Sequence, residues 1–243
     1  MSILLVVAVL VVGVLLMVGI GLLSMWAARR RRDQLGAWAA RDGWTATVPD
    51  PRWLTLCVDL PVGRGTEPSV REVWTRTVGG SQQVAMTYRY ITHETVTSTD
   101  GEGRTTTRTE RREHHVAVAG VRLPAVLSRV QVVREGLGQR FVTALGGQDV
   151  EIESADFNRR YRVQADDAKL ACDLLNPRTV ERLLRYDDLA LRVDHGWIVT
   201  WQLGRFEPLV AESALPSALD LAAGVPRFVW LDHGYDPSAP ASA

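Results

Sequence analysis

The first thing that limits this chain is an uninterrupted apolar run near its start. From Ile3 to Trp26 it reads ILLVVAVLVVGVLLMVGIGLLSMW, with no charge and no proline. As a helix, 24 residues rise about 36 Å, enough to cross the roughly 30 Å hydrocarbon core of a bilayer. Arg29, Arg30, Arg31 and Arg32 follow at once, whereas only Met1 and Ser2 precede the run. Positive charge on that side predicts one span with the N-terminus outside and the remainder in the cytoplasm. A secretory signal would need basic residues before a shorter apolar run and a small-residue site after it. The order here is reversed, and AWAA at Ala37–Ala40 is the one string that resembles a cleavage site. Gly13, Gly19 and Gly21 lack the spacing of a close-packed helix dimer.

Charge then excludes one class of partner. Of the 28 arginines and lysines, four lie in the run after the span, leaving 24 against 28 acidic residues. A mildly acidic domain is a poor match for a polyanion, so no nucleic-acid partner is expected. The membrane is the expected partner, together with a protein or lipid of unspecified identity. Arg29 to Arg32 are candidates for contact with anionic headgroups, at about 1 kcal/mol each.

Beyond the arginines, helix-compatible residues continue to Arg41, and Gly43 suits a left-handed helix terminus. Trp38 and Trp44 lie beyond the arginines, where either the membrane or the domain could receive them. The stretch from Val48 to Ser69 contains Pro49, Pro51, Pro61, Gly63, Gly65 and Pro68 and reads as a loop. From Val70, alternating residues predict strands, with a turn at Gly79-Gly80 and a long hairpin whose polar tip, Ser98–Glu113, is expected to be mobile. RVQVVR at Arg129–Arg134 adds a strand and EGLGQRFVTALGG over 135–147 a short helix.

From Val150 to Tyr186 the local signals are densest. Alternation predicts two strands joined at SAD, the second carrying Phe157, Tyr161, Val163 and Ala165. Asp166 or Asp167 then caps one helix, and Asn176, followed by Pro177, caps another. A hairpin at His195-Gly196, a helix interrupted at Pro216 and a disordered tail complete the reading. The fold class is α+β: a transmembrane helix, then a strand-rich domain with a strand-helix-helix unit. Its expected divisions are 1–28 as anchor, 29–69 as basic juxtamembrane helix and linker, 70–234 as domain and 235–243 as tail.

The segment Glu153–Leu184 resembles a bacterial domain family of unknown function, found behind N-terminal membrane helices and common in high-GC Gram-positive bacteria. The resembling residues are an acid before Phe157-Asn158, Tyr161 and Val163, Asp166-Asp167, Ala171, the Leu175-Asn176-Pro177 junction, and Glu181, Leu183 and Leu184. Weaker similarity extends upstream to the residues around Tyr88–Tyr90 and Val121–Pro124. The resemblance implies an architecture and brings no catalytic residue with it.

Chemistry-bearing patterns are sparse. His93, His114, His115, His195 and His233, with Cys57 and Cys172, show no zinc-ligand spacing, and His114 and His115 on a strand face opposite ways. No nucleophile elbow and no phosphate-binding glycine fingerprint occurs. No metal, cofactor or catalytic residue is therefore assigned. Arg159, Arg160 and Arg162 are a candidate anion-contact cluster, the alternative being a solvated or internally paired sheet face; Arg159, on the apolar phase of the expected strand, needs an acidic partner if buried. The expected role is a membrane-anchored interaction or scaffolding module, with an enzyme of unrecognised site as the alternative.

Overall fold

The computed structural model describes residues 3–58, 60, 62, 65–99, 101, 105–134 and 147–239. The helix expected over 135–147 falls, apart from Gly147, outside them. The chain divides into two compact units, Met1–Trp44 and Thr45–Ala243.

The first unit is one helix, α1 (Ile3–Asp42), 40 residues long. It is long and apolar enough to cross a membrane. It ends as the sequence predicts: Gly43 takes φ +70°, and the Trp44 amide donates back to the Ala39 carbonyl at 2.9 Å. That is a Schellman terminus, which commonly carries an apolar contact across the reversal. Here the contact is Trp44 stacked on Trp38, ring centroids 5.1 Å apart. Four residues before its own position, the Arg30 guanidinium finds the Trp26 ring, 5.3 Å from the centroid.

Among the described residues the second unit has nine strands: β1 (Thr45–Thr47), β2 (Thr66–Val78), β3 (Ser81–Thr99), β4 (Thr105–Arg122), β5 (Val130–Arg134), β6 (Gln148–Asp149), β7 (Tyr161–Ala165), β8 (Ala190–Asp194) and β9 (Trp197–Leu203). They form one sheet in the order β1-β2-β3-β4-β9-β8-β5-β7-β6, antiparallel at each pairing. Both two-residue turns fall where expected. Gly79-Gly80 and His195-Gly196 have positive φ at both positions, the conformation whose twist matches that of the flanking strands.

One face of the sheet carries Val84, Met86, Val116, Val118 and Val199, covered by Trp53, Leu56, Cys57 and Leu60. The proline-rich stretch read as a loop therefore supplies a lid of the core, through a short 3₁₀ helix (Pro51–Leu56) capped by Asp50. Arg192, 1% exposed, donates to the carbonyl of Leu56, the last residue of that helix, and to that of Val58 just past it. Its buried charge is met by the carbonyl end of the helix and by Asp194 at 3.8 Å. The helix α5 (Pro208–Gly224) packs on β4 and β9. It runs through Pro216, where an interruption was expected, since losing one backbone hydrogen bond is outweighed by burying Ala211, Ala214, Leu215, Ala218 and Leu221. A further short helix, α6 (Arg227–Asp232), follows.

Between these lies the strand-helix-helix unit, β7, α3 (Ala168–Leu174) and α4 (Pro177–Leu183). Asp167 accepts from the Lys169 and Leu170 amides, and Asn176 from Thr179, as the capping pattern requires. Gly224 ends α5 against α4 so closely that a Cβ there would lie 2.2 Å from Thr179 Oγ1. The two strands expected on either side of SAD need correction: the first is β6, which ends at Asp149 and does not extend through Val150–Glu153. Residues 155–160 are helix α2, not strand, because Ser154 caps the Phe157 amide at 3.3 Å. Phe157 and Tyr161 still meet, with centroids 5.1 Å apart, at helical spacing of four. The polar tip also differs: β3 and β4 stay paired out to Thr99 and Thr105. Threonine and valine favour extended backbone with no core to face, so Thr105–Glu113 is strand where a mobile loop was expected.

Candidate functional site

The irregular part of the sheet is β2. Its ladder with β3 slips twice, between Thr66 and Ser69 and between Arg71 and Trp74. At each slip two β2 residues oppose one of β3, which defines a bulge. Glycine usually occupies the left-handed position of such a bulge. Here the residues are Glu67, φ 53°, and Glu72, φ 51°. Each costs about 1–2 kcal/mol relative to an unstrained position.

The Glu72 bulge borders a polar cleft of about 350 Å³. Thr87, 1% exposed, stands at its base. Its hydroxyl donates to Glu72 Oε2 at 3.1 Å and accepts the Phe206 amide at 3.0 Å. The Gly204 amide donates to the His115 carbonyl at 2.9 Å. Arg205 is thus held between two backbone anchors as the chain leaves β9, and it lines the cleft with Arg71, Arg89, Glu113 and His115.

These charges are not equivalent. Arg89 is engaged: it donates to Glu113 Oε1 at 2.7 Å and to Ser69 at 3.2 Å, with Glu67 3.9 Å away. Its hydrogen bond is the main reason that the Glu113 carboxyl lies below its ordinary pKa. His115 is held below the usual imidazole value chiefly by burial, then by Arg205, although Glu113, 3.1 Å from Nε2, pulls the other way. It is therefore neutral at pH 7. Arg71 and Arg205 make no ion pair or hydrogen bond among the described residues. Three arginines and two glutamates leave this cleft one positive charge in excess.

The arginines singled out from sequence lie elsewhere. Arg29 to Arg32 are on α1. Arg159 is exposed and paired with Asp156 across one helical turn, so its strand phase and its need for a buried partner both disappear. Arg160 donates to the Leu184 carbonyl at 3.4 Å. Arg162 grips Asp149, with Nε to Oδ1 at 3.0 Å, and that bond holds the Asp149 carboxyl below its ordinary pKa. The three have three different partners. Asn158 closes a local ring with Ile152, donating to its carbonyl at 2.7 Å and accepting its amide at 3.1 Å. Bonding to nearby backbone in this way is a common role of Asn in turns.

His114 faces away from the cleft, stacked on Tyr90 at 4.9 Å and bonded to Thr92 Oγ1 at 2.8 Å. Among the described residues no group of three His, Cys, Asp or Glu side chains could hold a metal. A second, more apolar hollow of about 570 Å³ lies against α3, α4 and α6, lined by Ile152, Cys172, Leu175, Val180, Leu184 and Phe228 among others.

By architecture the second unit is an α+β domain with a large antiparallel sheet, behind an apolar helix. No family model and no curated protein matches the chain. Among solved structures it is similar to the crystal structure of the mycobacterial trehalose monomycolate transport factor A, TtfA, at 10% identity and a TM-score of 0.47, over 80% of this chain and 92% of that one. That likeness is too distant to transfer chemistry from one chain to the other.

Proposed function

We propose that this chain is a single-span membrane protein whose Thr45–Ala243 domain is a cytoplasmic module for binding a protein or a lipid. The observation that supports it is α1: an apolar helix followed, within the same helix, by Arg29, Arg30, Arg31 and Arg32. Those arginines sit where headgroup phosphates lie and oppose transfer of their side across the bilayer. Trp26, with Arg30 over its ring, stands at the boundary where amphipathic aromatics anchor a span.

A reporter fused after Ala243 is expected to be active only in the cytoplasm. Replacing all four arginines with alanine should give a mixed population of orientations. External reporter activity in the unaltered protein overturns the reading.

A further inference from the structure

We propose that the cleft beside the Glu72 bulge is a binding site for a phosphate-type dianion, taken up by Arg71 and Arg205 with His115 beside them. The inference goes beyond the membrane reading and does not rest on it.

The supply of unengaged positive charge comes first. Arg89 is committed to Glu113 and Ser69, whereas Arg71 and Arg205 reach the cleft with no acceptor among the described residues. A guanidinium offers a planar fork of donors, and two such forks suit the several oxygens of a phosphate better than the single pair of a carboxylate.

The cleft is also constructed, and does not result from two surface arginines happening to be near each other. Glu72 keeps a left-handed backbone that glycine would adopt without strain. What glutamate supplies in return is the acceptor for Thr87. Thr87 in turn holds the Phe206 amide, and the His115 carbonyl holds Gly204. A strained carboxylate on β2 therefore fixes the position of Arg205 beyond β9, through one buried hydroxyl. Strain retained where it orients a charged side chain is the usual mark of a site.

His115 adds a dependence on pH. The groups facing it are Arg205 beyond β9, Glu113 on its own strand, Arg89 on β3 and Glu72 on β2, with Arg71 lining the same cleft. Burial and then Arg205 hold the imidazole below its usual pKa, so it is mostly neutral at pH 7. A bound dianion favours the imidazolium and raises its pKa, so binding takes up a proton. Affinity is then flat above the bound-state pKa and tightens as pH falls through it, levelling off below the free-state value.

The test uses the full chain in a non-ionic detergent, titrated calorimetrically with sodium sulfate against sodium chloride at constant ionic strength. Sulfate remains a dianion from pH 5.5 to 8, so any pH dependence belongs to the protein. One saturable site is expected, weakened at least tenfold in Arg71→Ala/Arg205→Ala and unchanged in Arg134→Ala, which alters a β5 arginine paired with Asp188. Tightening on acidification from pH 7 to 5.5 should vanish in His115→Asn. Melting temperatures are read alongside; if the double variant melts early, Arg205→Gln alone serves. The source of the group is separated in nanodiscs, where phosphatidic acid lowers sulfate affinity relative to phosphatidylcholine if a lipid headgroup enters the cleft. Unchanged affinity there, with competition by glycerol 3-phosphate in detergent, names a soluble phosphomonoester instead. No saturable sulfate binding, or equal weakening by Arg134→Ala, overturns the proposal.

Discussion

At the β7 end of the sheet, the capping and core residues sit in the conformations that their own chemistry favours. Asp167 and Asn176 cap, Pro177 occupies a first helical position, and Phe157, Leu174 and Leu183 are buried. At the β2 end, two glutamates occupy left-handed positions, the strand slips twice, and arginines gather around a cleft. The first region explains how the domain holds together. The second tolerates local strain in exchange for an arrangement of charge, which is where a folded chain is expected to carry a binding role.

The sharpest contrast between the two regions is chemical. Cys57, beneath the β2 end, has its thiol pushed up to about 12 by burial, whereas Cys172 on α3 is exposed. At pH 8 a thiol with that pKa is only about one part in 10⁴ thiolate, the form that reacts. A thiol reagent should label Cys172 quickly and Cys57 only on unfolding. Rapid labelling of both would show that the core beneath β2 opens readily.

Truncation should rank the two regions by stability. Phe157→Ala or Leu174→Ala removes a fully buried side chain and should cost about 2–5 kcal/mol, a large part of a typical total of 5–15. Arg160→Ala, on the exposed side of the same unit, should cost under about 0.5 kcal/mol. Denaturant midpoints measure both, and a large loss from the arginine would turn that surface from a solvated one into a structural one.

The smallest effect is the most discriminating. Glu67→Gly should stabilise the protein by about 0.5–1 kcal/mol, because relief of a left-handed residue exceeds the added freedom of the unfolded chain. Of the ion pairs that it surrenders, the one with Arg111 at 3.3 Å is exposed and contributes little, and the one with Arg89 is long, at 3.9 Å, and leaves Arg89 its bonds to Glu113 and Ser69. Glu67→Ala loses the same pairs and keeps the strain, so it should be neutral or slightly harmful. A thermal shift of opposite order would mean that the glutamate is held there by its charge alone.

These differences follow how far each signal travels along the chain. A cap joins residues two or three apart, so Asp167, Asn176 and the Gly43 terminus could be read directly. The helical turn at Ser154 was as local, and a capping serine followed by Asp156 in the first turn could have revealed it; the misleading feature was apolar alternation from Phe157 to Ala165, which the following strand dominates. Pro216 went the other way: a breaker by local rule, it is carried through by the apolar face that α5 buries. Thr105–Glu113 shows no apolar period because both faces of that ribbon meet solvent, and only its pairing with β3 reveals it as strand.

By itself, then, the sequence determined the membrane-length helix, its arginine boundary, the α+β class and the strand-helix-helix unit, since each depends on the spacing of neighbouring residues. Tertiary structure alone decided the cleft. Glutamate disfavours the left-handed backbone of a bulge, so nothing near Glu72 announces one; and Arg71, Thr87, His115 and Arg205 come together because β2, β3, β4 and the end of β9 are brought side by side. Convergence of charge across four separate segments depends on strand order and register, which no short-range pattern encodes.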